Sequence, residues 1–188
     1  MLRIQILLLS LFFSFSIFAL LPGEYSSNCF PHGEGLKDSF QSSVLVSEER
    51  FEGKFILFEG PGCKKSVLTV DFTAEMNFPE EKEFGPLDLR VGKAFMVVMD
   101  EKLRQEFMMR SLCGDLQLEL YVPFEIQGLQ KCGPFPVPAS GTLVYDYFKK
   151  EGHDFSLGGY PLLWILDENR RPALTSRIVY RKKVPHSN

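Results

Sequence analysis

Three functional classes are short of the residues they would need. Only 3 His are present, and no two of the 4 Cys are spaced as in a zinc knuckle. No metal site or cofactor is therefore expected. No G-x-S-x-G, phosphate-loop or H-E-x-x-H run occurs, so no motif names a reaction and the chain reads as a non-enzyme. Basic residues do not exceed acidic ones: 21 Lys and Arg face 24 Asp and Glu, for a net charge of -3. That balance excludes the electrostatic footprint of nucleic-acid binding. With 15 Gly and 12 Pro in 188 residues, collagen-like and low-complexity chains are also excluded. No N-x-S/T acceptor is present.

The first twenty residues differ from the rest. Arg3 is the only charge before Glu24, and residues 4–21 are almost all Leu, Phe, Ile and Ser. A short positive start, an apolar run and small residues near its end read as a secretory signal over residues 1–19, cut after Ala19. Residues 20–188 then form a single domain of ordinary size, extracytoplasmic (secreted or periplasmic), with no long apolar run and no membrane span after cleavage. A retained anchor is the alternative, and lipidation at Cys29 a third.

An even number of cysteines behind such a leader favours disulfides. Cys29, Cys63, Cys113 and Cys132 allow three pairings; closure of local loops favours Cys29–Cys63 with Cys113–Cys132. Each bridge would contribute about 3 kcal/mol by restricting the unfolded chain.

The body alternates between strands and turns. In residues 67–76, Leu68, Val70, Phe72, Ala74 and Met76 share one face while Thr69, Asp71, Thr73 and Glu75 share the other. Period two predicts a half-buried strand. Residues 116–122 repeat it, with Leu116, Leu118, Leu120 and Val122 inward. Residues 40–49, 54–59, 87–91, 94–99, 142–149, 154–157, 162–166 and 178–183 complete the expected strands, with a hairpin turn at 150–153. Prolines, Pro86 among them, are placed between strands or at their ends. One segment breaks the pattern: over residues 101–112, Leu103, Phe107, Met108 and Leu112 recur at helical spacing, with Asp100 as N-cap and Gly114 as stop. Eight to ten short antiparallel strands and one short helix make an all-β chain, either barrel or sandwich.

Residues 21–29 resemble the opening strand of lipocalin-like domains, with Tyr25 where their Gly-x-Trp carries Trp. Cys29 and Cys63, then Tyr145-Asp146, Phe155-Ser156-Leu157-Gly158, Arg171-Pro172-Ala173-Leu174 and Tyr180-Arg181-Lys182, follow the order seen in lipocalin-like domains of the adenomatosis polyposis coli down-regulated type and small bacterial secreted relatives. Residues 75–112 match poorly. The resemblance implies a lipocalin-like antiparallel β-barrel that holds a lipid or another small apolar ligand. It also implies a late arginine, Arg177 or Arg181, stacked over Tyr25 to close one end.

Two functions follow. In one, Leu68, Val70, Phe72, Leu118 and Leu120 line a ligand cavity. In the other they fill the barrel, and an unidentified protein partner meets loops at 30–38, 80–86 and 123–138, with Phe124 or Phe135 as anchors. A cavity of a few hundred cubic ångströms would mark the first, and a filled interior the second.

Overall fold

The computed structural model describes residues 22–47, 49–77, 83–129, 132, 136–161 and 163–184. The expected leader, residues 1–19, lies outside the described residues, as do Phe135 and the final four positions. The strands are β1 (Gly23–Ser26), β2 (Phe30–His32), β3 (Asp38–Val46), β4 (Arg50–Glu59), β5 (Lys65–Asn77) and β6 (Phe84–Val98). After helix α1 (Glu101–Met109) come β7 (Leu112–Asp115), β8 (Phe124–Glu125), β9 (Leu143–Glu151), β10 (Asp154–Leu157) and β11 (Val179–Lys182).

Antiparallel pairing runs β1-β11-β10-β9-β6-β5-β4-β3, and β1 also pairs with β3, from Gly23↔Val46 to Ser26↔Ser43. That second pairing closes an eight-stranded barrel. Closure removes the exposed edges that an open sheet would carry. β2 extends from β3, and β8 lies along β6.

The expected strands at 87–91 and 94–99 are one strand, β6. Gly92 joins them at an irregularity in the pairing with β5, between Phe72 and Ala74. A Cβ on Gly92 would stand 2.6 Å from the Thr73 hydroxyl, so only glycine fits this close approach. Pro86 lies inside β6, not at its end. It pairs opposite Tyr147 of β9, past the point where β5 stops at Asn77↔Asp88, so β6 has only one ladder neighbour there. The hairpin expected at 150–153 forms with a tighter turn: Lys150 and Glu151 pair with Phe155 and Asp154, so Gly152, at φ 66°, and His153 alone join β9 to β10.

Two expected strands are absent. Residues 116–122 have no regular structure beyond a single parallel bridge between Leu120 and Val98. Leu116 and Val122 are exposed. The outer edge of β6 that would have paired them is taken by Phe124 and Glu125 of β8, by the Ile126 N–H to the Ala94 carbonyl, and by the Gln127 side chain. Residues 163–166 are likewise irregular; the Ile165 carbonyl accepts the Tyr145 N–H at 2.8 Å, on the edge of β9 that β10 leaves free. The helix begins as predicted, with Asp100 Oδ1 accepting the Leu103 N–H at 2.9 Å. It ends at Met109, before Gly114, because Ser111 turns to φ 48° and Leu112 starts β7, which carries Cys113 into its disulfide. Leu112 therefore leaves the helical stripe, and Phe107 is its buried member.

Both favoured disulfides are present: Cys29–Cys63 and Cys113–Cys132. They fit an oxidising compartment. Among the described residues no helix is long and apolar enough to cross a membrane.

Candidate functional site

The lumen is where the lipocalin-like resemblance would place a ligand. Side chains from alternate positions converge there: Phe40, Ser42 and Val44 from β3, Phe51 and Phe55 from β4, Leu68, Val70 and Phe72 from β5, and Phe148, Phe155 and Tyr180 from β9 to β11. Burying each large apolar chain contributes about 1.5–3 kcal/mol. The lumen also receives a ring from outside the strands. After β10 the chain turns back, and Tyr160 enters the barrel 4% exposed. Its ring stands 5.3 Å from those of Phe51 and Phe72 and 6.1 Å from Tyr180.

The hydroxyls inside bond to one another. The Tyr180 hydroxyl donates to Ser42 Oγ at 3.2 Å, and Ser42 Oγ lies 3.2 Å from both the Tyr160 hydroxyl and the Lys54 carbonyl. Burial pushes both phenols above their ordinary value. Packing is tight enough to dictate Gly53: a Cβ there would fall 2.1 Å from Phe72 and 2.5 Å from the Tyr160 oxygen.

Asp146, 2% exposed, fixes the returning chain. Its Oδ1 accepts the N–H groups of Tyr147 (2.7 Å) and Gly159 (2.8 Å), and Oδ2 that of Tyr160 (3.0 Å). Burial raises its pKa, outweighing the backbone donors that pull the other way. On the outer wall Arg171 ties down the same connection. It reaches Asp88 at 2.6 Å, donates to the Leu87 and Asp146 carbonyls, and stacks 5.0 Å from the Tyr145 ring centroid. Trp164, the chain's one tryptophan, packs edge-on to Phe72 at 5.0 Å.

Of the five residues expected to line a cavity, Leu68, Val70 and Phe72 are buried on β5, Leu118 joins the same core cluster and Leu120 packs against it. The last two come from the irregular segment beside α1, where Arg104 donates to the Leu118 carbonyl, and not from a barrel strand. The closing cation also differs. Lys182 Nζ lies 6.0 Å from the Tyr25 ring centroid. Arg181 instead binds Asn28 Oδ1 at 2.8 Å, and Arg177 is exposed. The register explains this: Tyr25 pairs directly with Lys182, which places Arg181 on the opposite face.

Outside the barrel, a cleft of about 290 Å³ crosses β3 to β6. Its walls are the outward residues Ser43, Glu52, Lys54, Asp71, Thr73 and Lys93, with Lys54 and Asp71 paired at 3.0 Å. Leu45 and Phe95 add apolar surface to it, and it is open to solvent, unlike an enclosed ligand chamber. Of the two expected anchors, Phe124 is partly buried against the core and Phe135 lies outside the described residues; Phe84, not an expected anchor, starts β6 and is 59% exposed. His32 packs edge-on to Phe40, and among the described residues no group of His, Cys, Asp or Glu is arranged to hold a metal.

The chain matches no protein-family model, and the comparison with curated proteins finds no relative.

Proposed function

We propose that this chain is an exported, non-enzymatic binding scaffold: a packed lipocalin-like barrel that meets a protein partner on its outer surface and end loops. One observation carries the reading. The described lumen is occupied by the chain's own rings, and Gly53 is required because Phe72 and Tyr160 already fill the space. A lumenal carrier of lipid would need Tyr160 to leave, breaking the Asp146 bonds to the Gly159 and Tyr160 N–H groups. The two disulfides and the apolar start of the sequence support export.

Native mass spectrometry of the oxidised protein from Leu20 onward, exported to a periplasm and purified without detergent, tests this. A clean apo mass that stays clean after incubation with lipid extract is expected. A discrete added mass, removed by organic extraction and identified as a lipid, would return the lumen to the role of carrier site.

A further inference from the structure

Residues 116–122 carry a strand's alternation without a strand's partners. Among the described residues, the backbone ties of this stretch are the Leu120–Val98 bridge, the Tyr121 N–H to the Val98 carbonyl at 2.9 Å, and the Arg104 side chain on the Leu118 carbonyl. Leu118 is buried, but Leu116, Tyr121 and Val122 are 42%, 68% and 47% exposed. Tyr121 sits at φ 63°, a left-handed conformation that a bulky residue enters only at a cost. An aromatic ring held at that cost and left in solvent serves no packing purpose inside the barrel.

Charge on this strip has one sign. Residues 111–129 contain Asp115, Glu119 and Glu125 and no Lys or Arg. All three acids are exposed. On α1, Arg104 pairs with Glu101 while also donating to the Leu118 carbonyl, and Arg110 pairs with Glu106; neither is paired with the strip's carboxylates.

We propose that the strip from Asp115 to Glu125 docks an extended, basic segment of a partner protein. The segment would lie along 116–122 as an added strand, its cations meeting Asp115, Glu119 and Glu125 and its apolar side chains meeting Leu116, Tyr121 and Val122. A second copy of this chain is disfavoured, since two acidic strips would face each other. The proposal rests on the reading that the outer surface, not the lumen, binds.

The test uses the full disulfide-bonded chain and two synthetic peptides of about six residues, one alternating Val and Lys, the other Val and Glu. Calorimetric titration should show the Lys peptide binding at least about tenfold more tightly than the Glu peptide, and weakening between low salt and about 0.15 M. Asp115→Lys with Glu119→Lys should reverse the preference. Tyr121→Gly relieves the left-handed backbone, so its melting temperature should hold or rise while affinity for the Lys peptide falls by roughly tenfold. A Tyr121 that merely braced the fold would give the opposite pattern, a lower melting temperature with affinity unchanged. That pattern, equal binding of both peptides, or binding of neither, overturns the proposal. With a clean native mass, such a failure removes the strip and leaves the packed barrel standing. A lipid-loaded lumen removes the packed barrel whatever the peptides do.

Discussion

Residues 67–76 and 116–122 have the same alternation of apolar and polar side chains but different structures. The first lies in β5, paired on both sides: with β4 from Arg50↔Glu75 to Glu59↔Lys65, and with β6 from Leu68↔Val98 to Asn77↔Asp88. The second makes one bridge. Period two assigns faces, but it does not supply a neighbour. β5 is rich in β-branched residues, Val67, Thr69, Val70 and Thr73, and follows β4 after a short turn at 60–64. Residues 116–122 are mostly leucine and charged or amide residues, hemmed in by Gly114 and Pro123, next to an edge of β6 already occupied. What holds them is a set of side-chain anchors: the Cys113–Cys132 bridge, Arg104 and buried Leu118. The connection after β10 is held in the same way, by Asp146, Arg171 and Tyr160.

The contrast can be broken at its strongest point first. Phe72→Ala, in the doubly paired strand, should cost about 3–5 kcal/mol in urea unfolding. It should also shift the emission of Trp164, whose ring packs on Phe72. A loss below about 1 kcal/mol would mean the lumen is not packed as described.

Replacing Cys113 and Cys132 together by Ala should cost about 3 kcal/mol, for a loop of 19 residues. Hydrogen exchange should rise in β7 and residues 116–129 before it rises in β5. Uniform acceleration would show that the two regions share one cooperative unit.

Asp146→Asn tests the other side-chain anchor. The amide loses one acceptor oxygen facing two separate sets of backbone donors, at a cost of about 1–3 kcal/mol. Its pH signature has a defined sign. The folded pKa is raised above the ordinary 3.8, so the folded state holds this proton more tightly than the unfolded chain does. This group's contribution is greatest below pH 3.8 and falls as pH rises through the raised value. Denaturation at several pH values should show that decline in the wild type and its removal in Asp146→Asn. An unchanged slope would place the titration elsewhere.

Leu116→Ala should change stability by less than about 0.5 kcal/mol, because the side chain is already in solvent. A larger loss would show that the strip is braced in the isolated protein, not open.

Long ladders were the most readable part of the chain. β5, β9 and β10 fall close to where alternation and turn residues place them, and β3 and β4 form the expected pair, joined through residues 47–49, ahead of the expected gap at 50–53; each pairs with its sequence neighbour. The helix start was readable from Asp100, a local cap, whereas its end was not. Ser111 and the disulfide stop it, and neither is as strong a local signal as Gly114. The merging of two predicted strands into β6 depends on Gly92, whose close approach to Thr73 exists only in the folded pair. The cation over Tyr25 was displaced by one residue because strand register decides which of Arg181 and Lys182 faces the ring.

The sequence by itself determined the all-β character, the helix start, the local pairing of cysteines and the faces of the strands. All are short-range properties of spacing and chemistry. Tertiary structure alone decided which alternating segments became strands, since that depends on a free edge within reach. It also decided which side chains enter the lumen, because Tyr160 arrives from a connection with no repeating pattern. A buried aspartate, Asp146, aligned against backbone N–H groups distant in sequence, holds it there together with the Ser42 hydroxyl and the surrounding rings.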